Sequence, residues 1–265
     1  MNQKIIIYMV VKNISKKIEL FTNVVTQASK ISKDFFIVNH GSDDNTVNII
    51  NSLTSDLKLN LELINEEFIW TMDDMKWKYY KVLKEKYWKN RNFIFILDWD
   101  EVLDEKLIYE INSLDFKSDV YMININTYLI KKIIDKNHFQ PRFFEINSVK
   151  VDSFSKFHNL FNIKSQNIKK LKWILHHYSY YSIQDLINKN IFYSRWEAQE
   201  LFEKDNSINN FIIFFRFLFE WTAYFLYTLF YHFNFLTLEW WLYSINWYSY
   251  KFYKYLFYLE LKIWK

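Results

Sequence analysis

The first hundred residues alternate between short apolar runs and longer stretches whose apolar positions recur every three or four residues. Lys4–Val11, apolar at every position after Lys4, predicts a strand. After it, Ile18, Phe21, Val24, Val25, Ala28 and Ile31 fall at helical spacing, with Ser15 placed to cap the helix. Phe35–Asn39 predicts a second strand, a short helix follows from about Val47, and Leu59–Asn65 predicts a third strand. A helix from Met72 to about Trp88 leads into a fourth strand at Phe93–Leu97. Such alternation builds a mostly parallel sheet with helices on both faces, an α/β class. From Asp115 to about Asn162 the pattern is strand-rich and irregular. Helical pattern returns at Ser182–Lys204 and dominates from Ile208. The expected organisation is an α/β domain over 1–205 and a helical segment over 206–265, with no internal repeat.

Composition changes this picture in three ways. Aromatics make up 22% of the 265 residues, so apolar surface for a core is plentiful. Gly and Pro occur once each, so turns have to be read from Asn, Asp and Ser. Cysteine is absent, which excludes disulfides and thiolate metal sites. The first residues lack the long apolar region of a signal peptide, and a cytoplasmic location is expected. A net charge of +4 adds nothing by itself.

Candidate chemistry gathers where the fourth strand ends. Phe93–Leu97 runs straight into Asp98-Trp99-Asp100-Glu101, three carboxylates within four residues. Ligands of open α/β sheets collect at the carboxyl ends of such strands. On an extended backbone Asp98 and Asp100 would point to one side, and two hard oxygen ligands there suit Mg²⁺ or Mn²⁺ beside a phosphate. A solvated turn after a strand is the plain alternative. The single glycine, Gly41, follows the second strand, which suggests a positive φ, a backbone close to a ligand, or a simple tight turn. Asp43 beside it could accept from a base or ribose, or make an Asx-turn or helix cap. His176 and His177 would point apart on a strand, so at most one could be a ligand.

Two further stretches are biased. From Lys131 to Lys172, ten Lys and Arg face only Asp135, Glu145 and Asp152, a surface for an anionic acceptor or membrane, or a solvated face. No nucleic-acid recognition module is visible, so nucleic acid is not an expected partner. Between Glu220 and Glu239 lie 18 residues without a charged side chain, interrupted by His232, Asn234 and several Thr and Tyr. That is near the lower limit for a membrane span, and the Trp and Tyr content suits a membrane interface better. Lys251, Lys254, Lys262 and Lys265 share one arc of the last helix, which reads as basic and amphipathic, lying on anionic lipid or packed on the α/β domain.

Taken in order, Met9-Val10-Val11-Lys12-Asn13, Val38-Asn39-His40-Gly41-Ser42-Asp43-Asp44-Asn45-Thr46-Val47 and Leu97-Asp98-Trp99-Asp100-Glu101-Val102-Leu103 resemble the three signatures of family 2 glycosyltransferases with a GT-A (Rossmann-like) fold, in particular the lipopolysaccharide-core type β-glucosyltransferases. Pro141-Arg142-Phe143-Phe144, Lys156-Phe157-His158-Asn159 and His177-Tyr178-Ser179-Tyr180 with Lys189, Tyr193-Ser194 and Ala198 resemble its later steps. The resemblance spans nearly the whole chain. It implies nucleotide-sugar contacts from Asn13, Asn39, Asp43, Lys78 and Asp98. It also implies a divalent ion, Mg²⁺ or Mn²⁺, held by Asp98 and Asp100 with His177 near it.

The chain departs from that family's pattern at Ile14, Asn39, Tyr79 and Asn159. The last departure leaves the base open among Asp152, Glu101 and His158, with Asp100 the remaining catalytic candidate. The expectation is an inverting, metal-dependent transferase. It would carry a sugar from a nucleotide donor to a saccharide or lipid-linked acceptor, at the inner face of the plasma membrane. A non-catalytic scaffold on the same fold and a nucleotidyltransferase are the competing readings. The second lacks a Gly-rich triphosphate loop.

Overall fold

The computed structural model describes residues 4–67, 72–129, 131–150, 162–163, 165–204 and 238–263, together with 215, 218–220, 222–223 and 226. Its elements are β1 (Ile5–Val11), α1 (Ile18–Ala28, preceded by a 3₁₀ turn at Ser15–Lys17), β2 (Asp34–His40), α2 (Thr46–Asp56), β3 (Asn60–Glu66), α3 (Met72–Tyr87) and β4 (Phe93–Ile96). Next come β5 (Glu101–Leu103), α4 (Glu105–Asn112), β6 (Val120–Leu129), β7 (Lys132–Glu145), β8 (Val149–Lys150), β9 (Asn162–Ile163) and β10 (Ile168–Tyr180). The helices α5 (Ile183–Lys204) and α6 (Leu238–Ile263) follow. Ser15 does not cap α1. It opens the 3₁₀ turn, and its backbone N–H donates to Asp44 Oδ2 at 3.0 Å.

Eight strands form one sheet in the order β3-β2-β1-β4-β7-β6-β10-β5. The pairings of β3 with β2, β2 with β1 and β1 with β4 are parallel. Antiparallel pairing begins where β4 meets β7 and recurs where β10 meets β5. The α/β class read from the chain is the one observed, with the parallel ladder covering the four strands whose helical crossovers the spacing predicts.

Both faces of this sheet are covered, which is why β1 reads as an unbroken apolar run. Alternate residues serve opposite faces. Ile7, Met9 and Val11 join Phe21, Val24, Val25, Ile50, Leu107 and Ile111 under α1, α2 and α4. Ile6, Tyr8 and Val10 join Met75, Tyr79, Tyr80 and Leu83 of α3.

The chain divides into two compact units. The first comprises Met1–Asn126 and Lys136–His177, and the second Thr127–Asp135 and Tyr178–Lys265. The second unit groups α5 with α6. In the second unit Ala198 and Phe202 of α5 pack on Tyr255 and Tyr258 of α6. A polar seam runs beside them. Asn190 Nδ2 donates to Asn246 Oδ1 at 3.0 Å and to Ser249 Oγ at 2.7 Å, and Ser194 Oγ donates to the Tyr250 carbonyl at 2.8 Å.

The lysine arc of α6 does not face outward as one basic stripe. Lys251 pairs with Glu220 and Lys254 with Glu197, each at 2.9 Å, and Lys262 lies over the Tyr258 ring. Lys265 lies outside the described residues. The exposed side chains described on α6 are Phe252, Leu256 and Glu260. Among the described residues no helix is long and apolar enough to cross a membrane.

Candidate functional site

Loops after β1, β2 and β4 meet at the carboxyl edge of the parallel ladder. Asn13 sits in the left-handed region at φ 51°, which its short polar side chain tolerates. Its N–H donates to Ser42 Oγ at 2.9 Å, and its Oδ1 accepts from the Asp43 N–H at 3.1 Å. Thr46 receives the Ile14 N–H at 3.0 Å, while Asp44 accepts from the Thr46 N–H at 3.0 Å. These bonds lace the β1 and β2 loops together. Gly41 has the positive φ expected of it, 58°. Asp43 is exposed on this laced edge, and Asn39 is buried at the end of β2 with its Nδ2 donating to Asn65 Oδ1 at 3.1 Å.

Beyond β4 the backbone does not stay extended. The strand ends at Ile96, and Trp99-Asp100 forms a turn before β5. The alternation that would aim Asp98 and Asp100 together therefore does not operate. The turn is not solvated either. Glu101 is fully buried, Asp100 is buried, and the Asp98 side chain is 18% exposed.

Each of these carboxylates has found a partner. Asp98 Oδ1 lies 2.6 Å from Lys76 Nζ, and Asp98 Oδ2 accepts from Arg142 at 3.2 Å. Arg142 also donates to Glu101 Oε1 at 2.6 Å, and Glu101 Oε2 accepts from the Asp98 N–H at 2.9 Å. Asp100 Oδ1 is 3.4 Å from His177 Nε2. The β5–β10 ladder sets that approach, because it places His177 directly opposite Glu101. His176 points away, 3.8 Å from Asp104, which caps α4, so the two histidines diverge as a strand requires.

Charge balance follows from this wiring. Burial alone would raise the Asp98 carboxyl, but Lys76 and Arg142 hold it well below the usual carboxylate range. Burial pushes the Glu101 carboxyl up, with Asp98 adding to the effect and Arg142 opposing it. For His177, burial works against the imidazolium, but Asp100, with Glu101 and Asp98 behind it, raises the ring above its ordinary 6.5.

The residues as placed do not fit a divalent ion. Both oxygens of Asp98 are engaged by fixed cations, and Asp100 already serves an imidazole. No group of three His, Asp or Glu side chains among the described residues converges on one point. Three carboxylates are answered by Lys76, Arg142 and a histidine biased toward its charged form. Mg²⁺ would need several oxygen ligands at about 2 Å, and most of this set is committed elsewhere.

Of the residues singled out from sequence, Asp98, Asp100, Glu101 and His177 come together, and Asn13, Asn39 and Asp43 border the same sheet edge. Lys78 pairs with Glu66 at 2.7 Å at the end of β3. Asp152 and His158 lie outside the described residues. Glu101 is locked between Arg142 and the Asp98 N–H, a positioning arrangement rather than that of an exposed base. Sequence reasoning missed Lys76 and noted Arg142 only within a resembling step and a basic stretch, not as a partner of these carboxylates. A signal existed for each. Lys76 borders the Met75, Tyr79 and Leu83 stripe, and Arg142 interrupts an aromatic strand, so both were charges on buried elements needing partners.

No family model matches the chain, and no curated protein does. Among solved structures it is similar to residues 1–349 of TarS from S. aureus, at 16% identity over 72% of this chain and 64% of that one, with a TM-score of 0.46. The complex of the same fragment with UDP-GlcNAc is matched at 16% identity over 66% and 58%, with a TM-score of 0.45. The glycosyltransferase GlyE of Streptococcus pneumoniae TIGR4 is matched at 11% identity over 56% and 35%, with a TM-score of 0.31. This chain thus spans less than two thirds of the TarS fragment. At such scores the likenesses carry no inference about activity.

Proposed function

We propose that this protein is a glycosyltransferase that moves a sugar, with inversion, from a nucleoside-diphosphate donor to a saccharide or lipid-linked acceptor of cell-surface glycan. The observation that carries the reading is the buried cluster of Asp98, Asp100, Glu101, Lys76, Arg142 and His177 at the carboxyl end of β4. It lies on the sheet edge where Asn13, Ser42 and Asp43 lace two loops. Open α/β sheets take their ligands there, and the ordered signatures around Asn13, Gly41 and Asp98 support a nucleotide sugar as that ligand.

In this reaction an acceptor hydroxyl oxygen attacks the anomeric carbon. The bond from that carbon to the donor's phosphate oxygen breaks, and its electron pair leaves on the nucleoside diphosphate. The hydroxyl proton passes to a carboxylate. We assign that role to Asp100, whose partner is His177 rather than a fixed cation. The exposed apolar residues of the helical unit, Phe192 and Trp196 on α5 with Phe252 and Leu256 on α6, support contact with a membrane interface where a lipid-linked acceptor would be found.

A panel of uridine, guanosine, cytidine and thymidine nucleotide sugars tests the reading. One donor should be hydrolysed slowly by the protein alone and faster with acceptor. Asp100→Asn should lower the rate about a hundredfold or more while leaving the fold intact. Failure to turn over or bind any donor in the panel overturns it.

A further inference from the structure

The cluster at the end of β4 contains a feature that the nucleotide-sugar reading does not require. Its fixed positive charge is supplied by two side chains from distant parts of the chain. Lys76 comes from α3 and Arg142 from β7, and each is bound to Asp98, on opposite oxygens. Tyr8 of β1 reinforces the first of these. Its hydroxyl donates to the carbonyls of Met75 at 3.1 Å and Lys76 at 2.8 Å, which fixes the turn of α3 that carries the amine. Glu101 reinforces the second, since it is fully buried and holds the guanidinium at 2.6 Å. Both cations are therefore preorganised, and neither is sealed in. Their side chains remain 14% and 12% exposed.

A glycosyl donor's diphosphate needs positive charge where its bond to the sugar breaks, because the electron pair departs onto phosphate oxygen. A divalent ion is one way to supply it. Here the carboxylates that would hold such an ion are already neutralised from within the chain.

We propose, resting on the nucleotide-sugar reading, that Lys76 and Arg142 occupy the role of the divalent ion: they face the donor's diphosphate directly, and the protein binds it and transfers sugar without metal. The network keeps both cations in place before the donor arrives, so that little reorganisation is needed as charge develops on the leaving group.

Calorimetric titration of the full chain with uridine, guanosine, cytidine and thymidine diphosphates tests this, after dialysis against EDTA and again with excess Mg²⁺ or Mn²⁺. The metal content of the dialysed protein is measured in parallel. At least one diphosphate should bind the metal-free protein, with a dissociation constant within about twofold of the value with metal. Lys76→Met should weaken that binding about ten- to a hundredfold, the effect of removing a hydrogen bond from a charged donor. Lys76→Arg should restore part of it. Thermal unfolding of each variant establishes that it is folded, which keeps the test independent of Arg142, whose loss would strand Glu101.

Binding that vanishes in EDTA and returns with Mn²⁺ overturns the proposal and leaves the nucleotide-sugar reading standing. So does stoichiometric metal surviving dialysis, or Lys76→Met binding as tightly as the parent. If no diphosphate binds in either condition, the nucleotide-sugar reading falls and the proposal falls with it.

Discussion

His177 is the residue whose protonation reports most directly on the site. Its ring is buried, which opposes charge, yet Asp100 at 3.4 Å and the neighbouring Glu101 and Asp98 raise it above 6.5. The sign of the pH effect follows. A folded-state value above the unfolded one means the imidazolium contributes stability that is fully present below about 6.5 and is lost as pH rises through the higher folded value. Asp100→Asn removes the nearest carboxylate. The ring should then titrate at lower pH, and the loss of stability above neutrality should flatten. Proton NMR of the His177 ring across pH 5–9 checks the first point, and urea unfolding at the same values checks the second. An unmoved ring in the variant would mean that Glu101 and Asp98, not Asp100, hold the proton.

Among the elements, the link between β1 and α3 carries the most consequence for the site. Tyr8 is buried in the sheet and reaches two carbonyls of the helix at the turn that bears Lys76. Tyr8→Phe should keep the core filled and lose about 1 kcal/mol of stability, the net worth of a hydrogen bond, read by urea unfolding. Lys78→Ala, two residues along the same helix, should cost well under 1 kcal/mol, because its pair with Glu66 is half exposed. The contrast tells why legibility stopped where it did. The strands and helices of the parallel ladder were readable because a two-sided core writes a continuous apolar run into β1, β2 and β4, and the crossovers write helical periods between them. The carboxylates were readable because they end such a run. Two of their partners, Lys76 and Arg142, were not. Lys76 and Arg142 are 66 residues apart in the chain, and only the antiparallel return of β7 beside β4 brings them to one aspartate. Local periodicity holds no record of that meeting. The lysine arc of α6 misled for the same reason, since helical spacing shows that Lys251 and Lys254 share a face but not that Glu220 and Glu197 occupy it.

For the molecule as a whole, the helical unit is where the proposed membrane contact would lie. With Lys251 and Lys254 paired internally and Phe192, Trp196, Phe252 and Leu256 exposed, the proposed attachment to lipid should be apolar in character. Vesicles of neutral and of anionic lipid should then bind it about equally, with little release by salt, in contrast to a basic helix, whose attachment salt weakens. Replacing Trp196 and Phe252 by Ser should weaken binding in vesicle co-sedimentation by about 1–3 kcal/mol for each side chain that enters the interface. Strong release by salt would return the role to the lysines. The sheet has a different consequence, visible in the order in which it is made. Its edge strand β5 is reached only through β10, although β5 ends at Leu103 and β10 starts at Ile168. During synthesis Asp100 and Glu101 leave the ribosome long before His177, and the strand that must lie beside them does not yet exist. The parallel ladder can assemble early, but Asp100 and Glu101 wait about 76 residues for His177, several seconds at about 5–20 residues per second. The cluster at the end of β4 is thus completed only with the last strand of its sheet.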